Sequence, residues 1–362
     1  MVKNERRSTK ITLVVGLFSI LFLFTTTAHA RIYGNIVAFG DSLTDHYGLQ
    51  AYLGPYDPVA NPNGAPDVWS DGDVWVEYLA DIWGAELDNN AIAGAMTQGH
   101  ESEAVQMLSD NGTLPNLGLV GQADMYVASV PEFDPEETLF TIWIGGNNLL
   151  EFGRGELDTT EPFVMITEAM TGIKDAVVTL YSQGATNFLI LNLPDIGKTP
   201  AYNKRSPEVI ASVTQLVQSY NASLDAAVKN LEASLEGITI YSFDVFTYFT
   251  EMIDSGVFVN VTDTYMEIDA EGNKTGNVNG DAEDYVFWDN IHPMTKAHKM
   301  VATEVDETIF SVKEADNDSS STCFIDSVNG QRNGNADHFI FFVIASLLAG
   351  VGALISNKRS EK

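Results

Sequence analysis

The 362-residue chain has a single cysteine, Cys323, and few basic residues. One thiol excludes an internal disulfide, so the fold must depend on its hydrophobic core. Lysine and arginine together number 19 against 50 aspartates and glutamates, which gives a formal net charge of −31. That balance disfavours steady binding to nucleic acid or to an anionic membrane surface, and we expect no nucleic-acid partner.

Two common catalytic motifs are also missing. There is no G-x-S-x-G, which disfavours the ordinary α/β-hydrolase fold. There is no H-E-x-x-H, and His100 and His338 show no ligand spacing, so we predict no metal site. Residues 277–281 have the composition of a calcium loop without the spacing of an EF-hand, and a polar loop is the better interpretation.

The first 30 residues are typical of a secretory signal peptide. Four basic residues precede an apolar stretch over residues 11–24, and Ala28-His29-Ala30 is a small-x-small cleavage signal. We therefore expect Arg31 to be the mature N-terminus and the protein to be secreted across the inner membrane.

Residues 339–362 form a second special segment, with 17 uncharged, mostly apolar residues followed by a basic end. Its length is at the short limit of a membrane-spanning helix. A polar, structureless linker over residues 313–338 precedes it and contains Cys323. Two interpretations stay open. The tail is a plain membrane anchor, or it is a signal for sorting machinery, because residues 323–325 and the helix resemble bacterial C-terminal sorting tails. Both predict a protein at the cell surface, with extracellular release also open.

Between these ends, residues 31–312 alternate between predicted strands and helices and have no internal linker. The strands are predicted at residues 36–39, 86–94, 138–144, 187–197 and 238–246. The helices are predicted at residues 74–84, 162–182, 206–235 and 294–312. The stretch between residues 95 and 135 reads as irregular. Such alternation indicates one α/β domain with a parallel sheet covered by helices on both faces.

A serine follows the first predicted strand directly. In IVAFGDSLTD, residues 36–45, a short apolar run leads into Gly40-Asp41-Ser42. Open α/β sheets place their chemistry at the carboxyl ends of the strands, which is where Ser42 should lie. Taken alone, Asp41 and Ser42 are better explained as helix-capping residues.

A histidine and an aspartate stand together before the last predicted helix, in FWDNIHPMTKAH. Asp289 and His292 are three positions apart, and Pro293 suits the first turn of the helix. A serine nucleophile needs a base such as imidazole, and a carboxylate orients that base and stabilises its charged form. The alternative interpretation of His292 is a capping or core histidine.

Hydrogen-bond donors for an oxyanion are predicted after two further strands. The sequence IGGNN ends a buried strand at Gly145-Gly146, and Asn147 then offers a side-chain amide at the same edge. The sequence NAIAGAM places Gly94 after the second strand, where its backbone N–H can point inward. Acyl transfer needs donors aimed at the developing negative charge. Ordinary loop glycines and an asparagine turn are the alternative.

Together FGDSLTD, AIAGA, GGNN and FWDNIHP resemble the GDSL lipase/esterase family, also called SGNH hydrolases, over residues 34–310. The segment WSDGDVWVEYLA is similar to the phospholipase/acyltransferase-like and plant-type branch. The resemblance implies a flavodoxin-like three-layer α/β/α sandwich that hydrolyses esters without a metal or cofactor. It implies Ser42 as nucleophile, His292 as general base and Asp289 as its orienting carboxylate. The implied oxyanion donors are the backbone N–H groups of Ser42 and Gly94 and the side chain of Asn147.

Two positions depart from the family pattern. Asn148 stands where the third block usually ends in aspartate, which alters a loop contact and leaves Asn147 intact. His46-Tyr47-Gly48 replaces a shorter Thr-Gly beside the nucleophile, and substrate choice can change with that loop. We interpret His46 as a loop residue and His298, on the last helix, as a packing residue.

The sequence therefore predicts a secreted or surface-tethered serine ester hydrolase that acts on carboxylic esters, with lipid substrates and acyl transfer both open. A carbohydrate or aryl esterase on the same fold is one alternative. A catalytically inactive surface binding protein is the other. Trp69, Trp75 and Trp83 fit either an acyl groove or core packing.

Overall fold

The structure, a computed structural model, describes residues 32–319 except 58–59, 62–63, 130–131, 158–160 and 270–273. The chain separates into two compact units, residues 1–311 and 312–362. The predicted signal peptide, the predicted tail and Cys323 lie outside the described residues. No helix within the described ranges is both long and apolar enough to cross a lipid bilayer.

A five-stranded parallel sheet forms the centre of the first unit. Its strands are β1 (Asn35–Gly40), β2 (Glu86–Asn89), β3 (Thr138–Trp143), β4 (Asn187–Leu191) and β5 (Thr239–Phe243). They lie in the order β2-β1-β3-β4-β5, and each neighbouring pair is parallel. This is the flavodoxin-like order of a doubly wound sheet, and it confirms the predicted α/β fold class.

Helices cover both faces of the sheet. They are α1 (Gly48–Leu53), α2 (Trp75–Trp83), α3 (Glu103–Asp110), α4 (Leu119–Ser129), α5 (Gly146–Arg154), α6 (Pro162–Ser182), α7 (Pro207–Ser234), α8 (Val245–Asp254) and α9 (Thr295–Ser319). Alternate side chains of β1 enter different cores, because successive residues of a strand point to opposite faces. Val37 and Phe39 pack in the cluster that includes α4 to α7, whereas Ile36 and Ala38 pack in the cluster that includes α2, α8 and α9. The result is a three-layer sandwich.

The strand order reverses between β1 and β3. From β1 the chain moves outward to β2 and then returns to β3 on the other side of β1. Loops that leave the carboxyl ends of strands at such a switch point diverge, and the crevice between them is where doubly wound proteins bind ligands. The loops after β1, β2 and β3 carry Ser42, Gly94 and Asn147.

Four short strands lie between α8 and α9. They are β6 (Asn260–Thr264), β7 (Met266–Ile268), β8 (Lys274–Val278) and β9 (Tyr285–Phe287). β6 pairs with β9, while β7 and β8 form an antiparallel pair that we call the accessory hairpin. The Met266 N–H donates to the Trp288 carbonyl at 2.8 Å, so the base of this hairpin is bonded to the segment that follows β9.

The structure differs from the sequence predictions in several places. The helices α1, α5 and α8 and the strands β6 to β9 were not predicted, and β4 and β5 are shorter than predicted. The stretch predicted as irregular contains α3 and α4. α3 buries only Val105, and α4 buries small and polar residues such as Gly121 and Gln122, so neither shows a clear apolar period. The second strand ends at Asn89 rather than at residue 94. The last helix continues to Ser319, because residues 313–319 contain no glycine or proline to end it.

Candidate active site

Ser42 lies in the turn that follows β1. Gln122 of α4 fixes the end of the strand, because its side chain accepts the Gly40 N–H at 3.0 Å and donates to the Gly40 carbonyl at 2.9 Å. The Asp45 N–H donates to the Asp41 carbonyl at 2.9 Å and closes the turn around the serine. The Ser42 residue is 8% exposed, so its hydroxyl is held in a sheltered position at the carboxyl edge of the sheet.

His292 and Asp289 come from the loop between β9 and α9, and the histidine is 250 positions beyond Ser42. His292 Nε2 lies 2.8 Å from Ser42 Oγ, and His292 Nδ1 lies 2.9 and 3.0 Å from the two carboxylate oxygens of Asp289. Asp289 Oδ1 also accepts the backbone N–H groups of Ile291 and His292 at 3.0 and 2.9 Å. The loop fixes the carboxylate, the carboxylate orients the imidazole, and the imidazole faces the serine hydroxyl.

The carboxylate of Asp289 is held in its charged form. Burial alone would raise its pKa, but the attraction and hydrogen bonds of His292 and Lys274 outweigh burial and hold the pKa of Asp289 well below its usual range. Burial lowers the pKa of His298, on α9, to about 3, so that ring is neutral. His298 Nδ1 accepts the Trp75 N–H at 3.3 Å, which fits a packing residue.

Asn147 lies in the first turn of α5, beside the same crevice. Its Nδ2 donates to the Ala95 carbonyl at 2.9 Å, and the residue is 5% exposed. A side-chain amide carries two N–H donors, so this bond fixes the amide and leaves its second donor for a ligand. Gly145 makes the approach of α5 possible, because its φ is +113° and a Cβ there would overlap the Tyr220 hydroxyl.

Gly94 lies in the turn after β2, with a φ of +77°. The buried ring of His100 supports this turn, because His100 Nε2 lies 2.8 Å from the Ala93 carbonyl. Asp45 supports it from the other side by accepting the Ala93 N–H at 2.6 Å. Gly94 is not among the residues that line the pocket around Ser42, whereas Asn147 is. The structure therefore brings together the serine, the histidine, the aspartate and the asparagine, whereas Gly94 does not line their pocket.

Asp41 is a titratable group of this site that the sequence did not reveal. Burial raises its pKa to about 7, although the Leu43 N–H donates to Asp41 Oδ1 at 3.1 Å and opposes that rise. The sequence marks Asp41 only as a candidate helix-capping residue. It gave no sign of full burial, which results from packing of distant parts of the chain.

An apolar pocket opens beside Ser42 and His292. Its apolar walls include Leu43, Trp143, Leu150, Leu193, Phe249 and Phe287. None of the three tryptophans considered for an acyl groove lines it. Trp75 and Trp83 are core residues, and Trp69 lies instead 5.2 Å from the His292 ring, between ring centroids.

A second, more polar cleft is also lined by His292, together with Asp289. It is lined by Trp69, Glu101, Arg154, Arg205 and Lys274, among others. Lys274 Nζ is 2.9 Å from Asp289 Oδ2. No motif or spacing in the sequence connects Lys274 with the aspartate, so sequence reasoning missed this contact.

The two departures from the family pattern have visible contacts. Asn148 accepts the Thr97 N–H at 3.1 Å and donates to the Thr97 hydroxyl at 3.3 Å, whereas an ionised aspartate could contact that hydroxyl only by accepting its proton. His46 Nδ1 lies 2.6 Å from Glu77 Oε1. Among the described residues, one group has ligand atoms close enough together to hold a metal ion. It consists of His46, Glu77 and Asp73. Glu77 already accepts the Val74 N–H, which caps α2.

This chain is similar in sequence to one family model and to several known proteins. A family model described as GDSL-like Lipase/Acylhydrolase matches residues 36–305. A thermolabile hemolysin of Vibrio parahaemolyticus is 26% identical over 301 residues, which cover 77% of this chain and 64% of the hemolysin. The chain thus spans less than two thirds of that relative's length.

The matches to two further relatives cover a larger share of each relative's length. A phosphatidylcholine-sterol acyltransferase of Aeromonas hydrophila is 26% identical over 254 residues, covering 69% of this chain and 70% of that protein. An acetylesterase of Thermothelomyces thermophilus is 28% identical over 284 residues, covering 75% of this chain and 86% of that protein.

Proposed function

The chain belongs to the GDSL-like lipase/acylhydrolase family, and from this premise we propose that it is a serine ester hydrolase that acts through an acyl-enzyme. One observation carries the proposal: His292 Nε2 is 2.8 Å from Ser42 Oγ while Asp289 orients its other nitrogen. An isolated serine hydroxyl is a weak nucleophile, and this arrangement supplies the base that activates it.

In the proposed reaction, Ser42 Oγ attacks the ester carbonyl and His292 Nε2 takes the hydroxyl proton. The charge on the former carbonyl oxygen is stabilised by the Asn147 amide and by backbone N–H groups at Ser42 and Gly94. His292 then gives its proton to the leaving alcohol, and the acyl group stays on the serine. Water attacks this acyl-enzyme with His292 again as base, which releases the acid and restores the serine hydroxyl.

We propose a lipid ester as the substrate. The apolar pocket beside Ser42 favours burial of an acyl chain, at about 0.8 kcal/mol per buried methylene. The name of the Aeromonas relative points to phosphatidylcholine as acyl donor and to transfer onto a sterol. In such a transfer, an alcohol replaces water in the second half of the reaction. The acetylesterase relative favours a second candidate, the hydrolysis of short acetyl esters such as acetylated sugars.

The nucleophile is tested with Ser42→Ala. We expect this variant to lose turnover of a short-chain nitrophenyl ester and labelling by a fluorophosphonate probe, while its melting temperature stays close to that of the wild type. Ser182→Ala, which removes an exposed hydroxyl at the end of α6, is the matched control and should label like the wild type. Retained turnover in Ser42→Ala would refute the mechanism. An unlabelled, inactive wild-type protein would support the binding-protein alternative.

The substrate class is tested by two product assays on the same preparation. Fatty acid released from phosphatidylcholine vesicles is compared with acetate released from acetylated xylan. Faster release of fatty acid is expected, and addition of a sterol should divert part of it into a sterol ester. Activity confined to acetate would replace the lipid proposal with the second candidate.

We also propose that the protein is exported and tethered at the cell surface by its C-terminal tail, as the composition of both ends indicates. The test is fractionation of cells that express the full chain or Cys323→Ala. Altered anchoring of the variant would favour a processed sorting signal, and unchanged anchoring would favour a plain membrane anchor. Wild-type protein found only in the cytosol would contradict both.

A further inference from the structure

Two side-chain nitrogens, from His292 and Lys274, contact the carboxylate of Asp289. His292 Nδ1 lies 2.9 Å from Oδ1 and 3.0 Å from Oδ2, and two backbone N–H groups donate to Oδ1 at 2.9 and 3.0 Å. Lys274 Nζ lies 2.9 Å from Oδ2. The Asp289 side chain is 9% exposed, so solvent screens this ion pair little. A histidine oriented by a carboxylate does not itself require such a lysine.

The position of the Lys274 ammonium is defined by aromatic rings as well as by the carboxylate. Its Nζ is 3.6 Å from the centroid of the Trp288 ring and 5.1 Å from that of Trp69, within the range of cation–π attraction. The Lys274 side chain is 31% exposed. It stands at the start of β8, and the accessory hairpin is bonded to the Trp288 carbonyl through Met266. The hairpin therefore places one positive charge beside Oδ2 of the orienting carboxylate.

We propose that Lys274 is a positioning residue of this ester hydrolase, which acts on His292 through Asp289 and keeps the imidazole uncharged at lower pH. The inference rests on the proposed function. Asp289 alone would stabilise the imidazolium that forms when His292 accepts a proton. A positive charge 2.9 Å from Oδ2 opposes that stabilisation, and it also helps to hold the carboxylate in place beside the histidine.

Other charged or titratable groups face His292 from neighbouring elements. Asp41 lies on the turn after β1, and its carboxyl also interacts electrostatically with His292. His298 faces it from α9 and is neutral. Arg154 and Arg205 line the same cleft as Lys274, and Arg154 is paired with Glu151 at 2.5 Å. A Lys274 series leaves all of these residues unaltered, so a comparison within it reports the effect of the lysine.

The first experiment measures kcat/KM against pH for the wild type, Lys274→Met, Lys274→Gln and Lys274→Arg. Without the positive charge, the acidic fall in rate should move to higher pH by about one unit, for a charge at this distance in a partly buried site. At pH values below that fall, the Met and Gln variants should therefore be about tenfold slower. On the alkaline plateau, we expect all variants to stay within about threefold of the wild type, and Lys274→Arg to keep the wild-type profile.

Lys204→Met is the matched control. It removes another lysine and another ion pair, since Lys204 Nζ lies 2.6 Å from Asp263, but it does not contact the triad. Its profile should match the wild type. An unmoved acidic limb in Lys274→Met and Lys274→Gln would overturn the proposal. So would an equal loss of rate at every pH, which is what a purely structural lysine would produce.

A second readout does not depend on turnover. The His292 ring proton signals are followed by NMR during a pH titration of Ser42→Ala and of Ser42→Ala/Lys274→Met, with a His292→Gln spectrum for assignment. The titration midpoint should be about one unit higher in the double variant, and equal midpoints would overturn the proposal. If the wild type hydrolysed no ester, the proposed function would fail while this titration still tested the role of Lys274.

Discussion

Replacing Asp41 by asparagine should stabilise the protein at neutral pH, by an amount that grows as the pH rises. Burial raises the pKa of this carboxyl from 3.8 to about 7. That difference corresponds to about 4 kcal/mol at 1.36 kcal/mol per unit. Because the folded-state pKa is raised, the neutral carboxyl contributes its full stability below about pH 4, and this contribution is lost as the pH rises through 7. Asparagine stays neutral, and its carbonyl can still accept the Leu43 N–H.

The assay is urea unfolding of the wild type and Asp41→Asn at several pH values between 5 and 8, followed by tryptophan fluorescence. The difference in unfolding free energy between the two proteins should widen by about 3 kcal/mol in total between pH 5 and pH 8. Most of this change should fall below pH 7, where the curve begins to level off. All other carboxyl groups titrate in both proteins, so their contributions to the unfolding free energy cancel when the two proteins are compared. A difference that stays constant from pH 5 to 8 would show that Asp41 does not titrate in this range, and the argument from burial would be wrong.

Three further substitutions test the site. Asp289→Asn should lower kcat roughly 10⁴-fold, because the imidazole loses its orienting charge, yet leave a measurable rate from the oxyanion donors; a wild-type rate would mean that another carboxylate serves. Asn147→Ala should raise the barrier by about 3 kcal/mol, seen as a fall in kcat with little change in KM, and a change confined to KM would contradict its role as an oxyanion donor. Gly145→Ala should lower the unfolding free energy by about 1 to 3 kcal/mol through its positive φ and its overlap with Tyr220; urea unfolding measures this, and an unchanged midpoint would contradict it.

The central sheet could be predicted because its strands are short, continuous apolar runs. β1, β3 and β4 are buried almost throughout, and each ends in a turn rich in glycine, asparagine or proline. The candidate residues Ser42 and Asn147 follow such strands directly, so their common edge could be deduced from the parallel arrangement alone. The juxtaposition of His292 with Ser42 needed the family resemblance, since nothing local in the sequence fixes where the last loop returns.

The contacts of Lys274 could not be predicted, for a physical reason. All five residues of β8 are exposed, so the hairpin has no alternating apolar face from which its register could be read. The same applies to the titration of Asp41, which depends on burial by distant segments rather than on its neighbours in sequence. Local pattern specifies which elements form, whereas the electrostatics of the site depend on tertiary packing.

The 250 positions between Ser42 and His292 also order events in time. Ribosomes make the chain from its N-terminus at about 5 to 20 residues per second, so the serine is synthesised roughly 10 to 50 seconds before the histidine that would activate it. A nascent or prematurely terminated chain that ends before His292 carries the Ser42 hydroxyl without the base that would activate it. A cell that makes this protein therefore contains no assembled serine–histidine pair until nearly the whole domain exists.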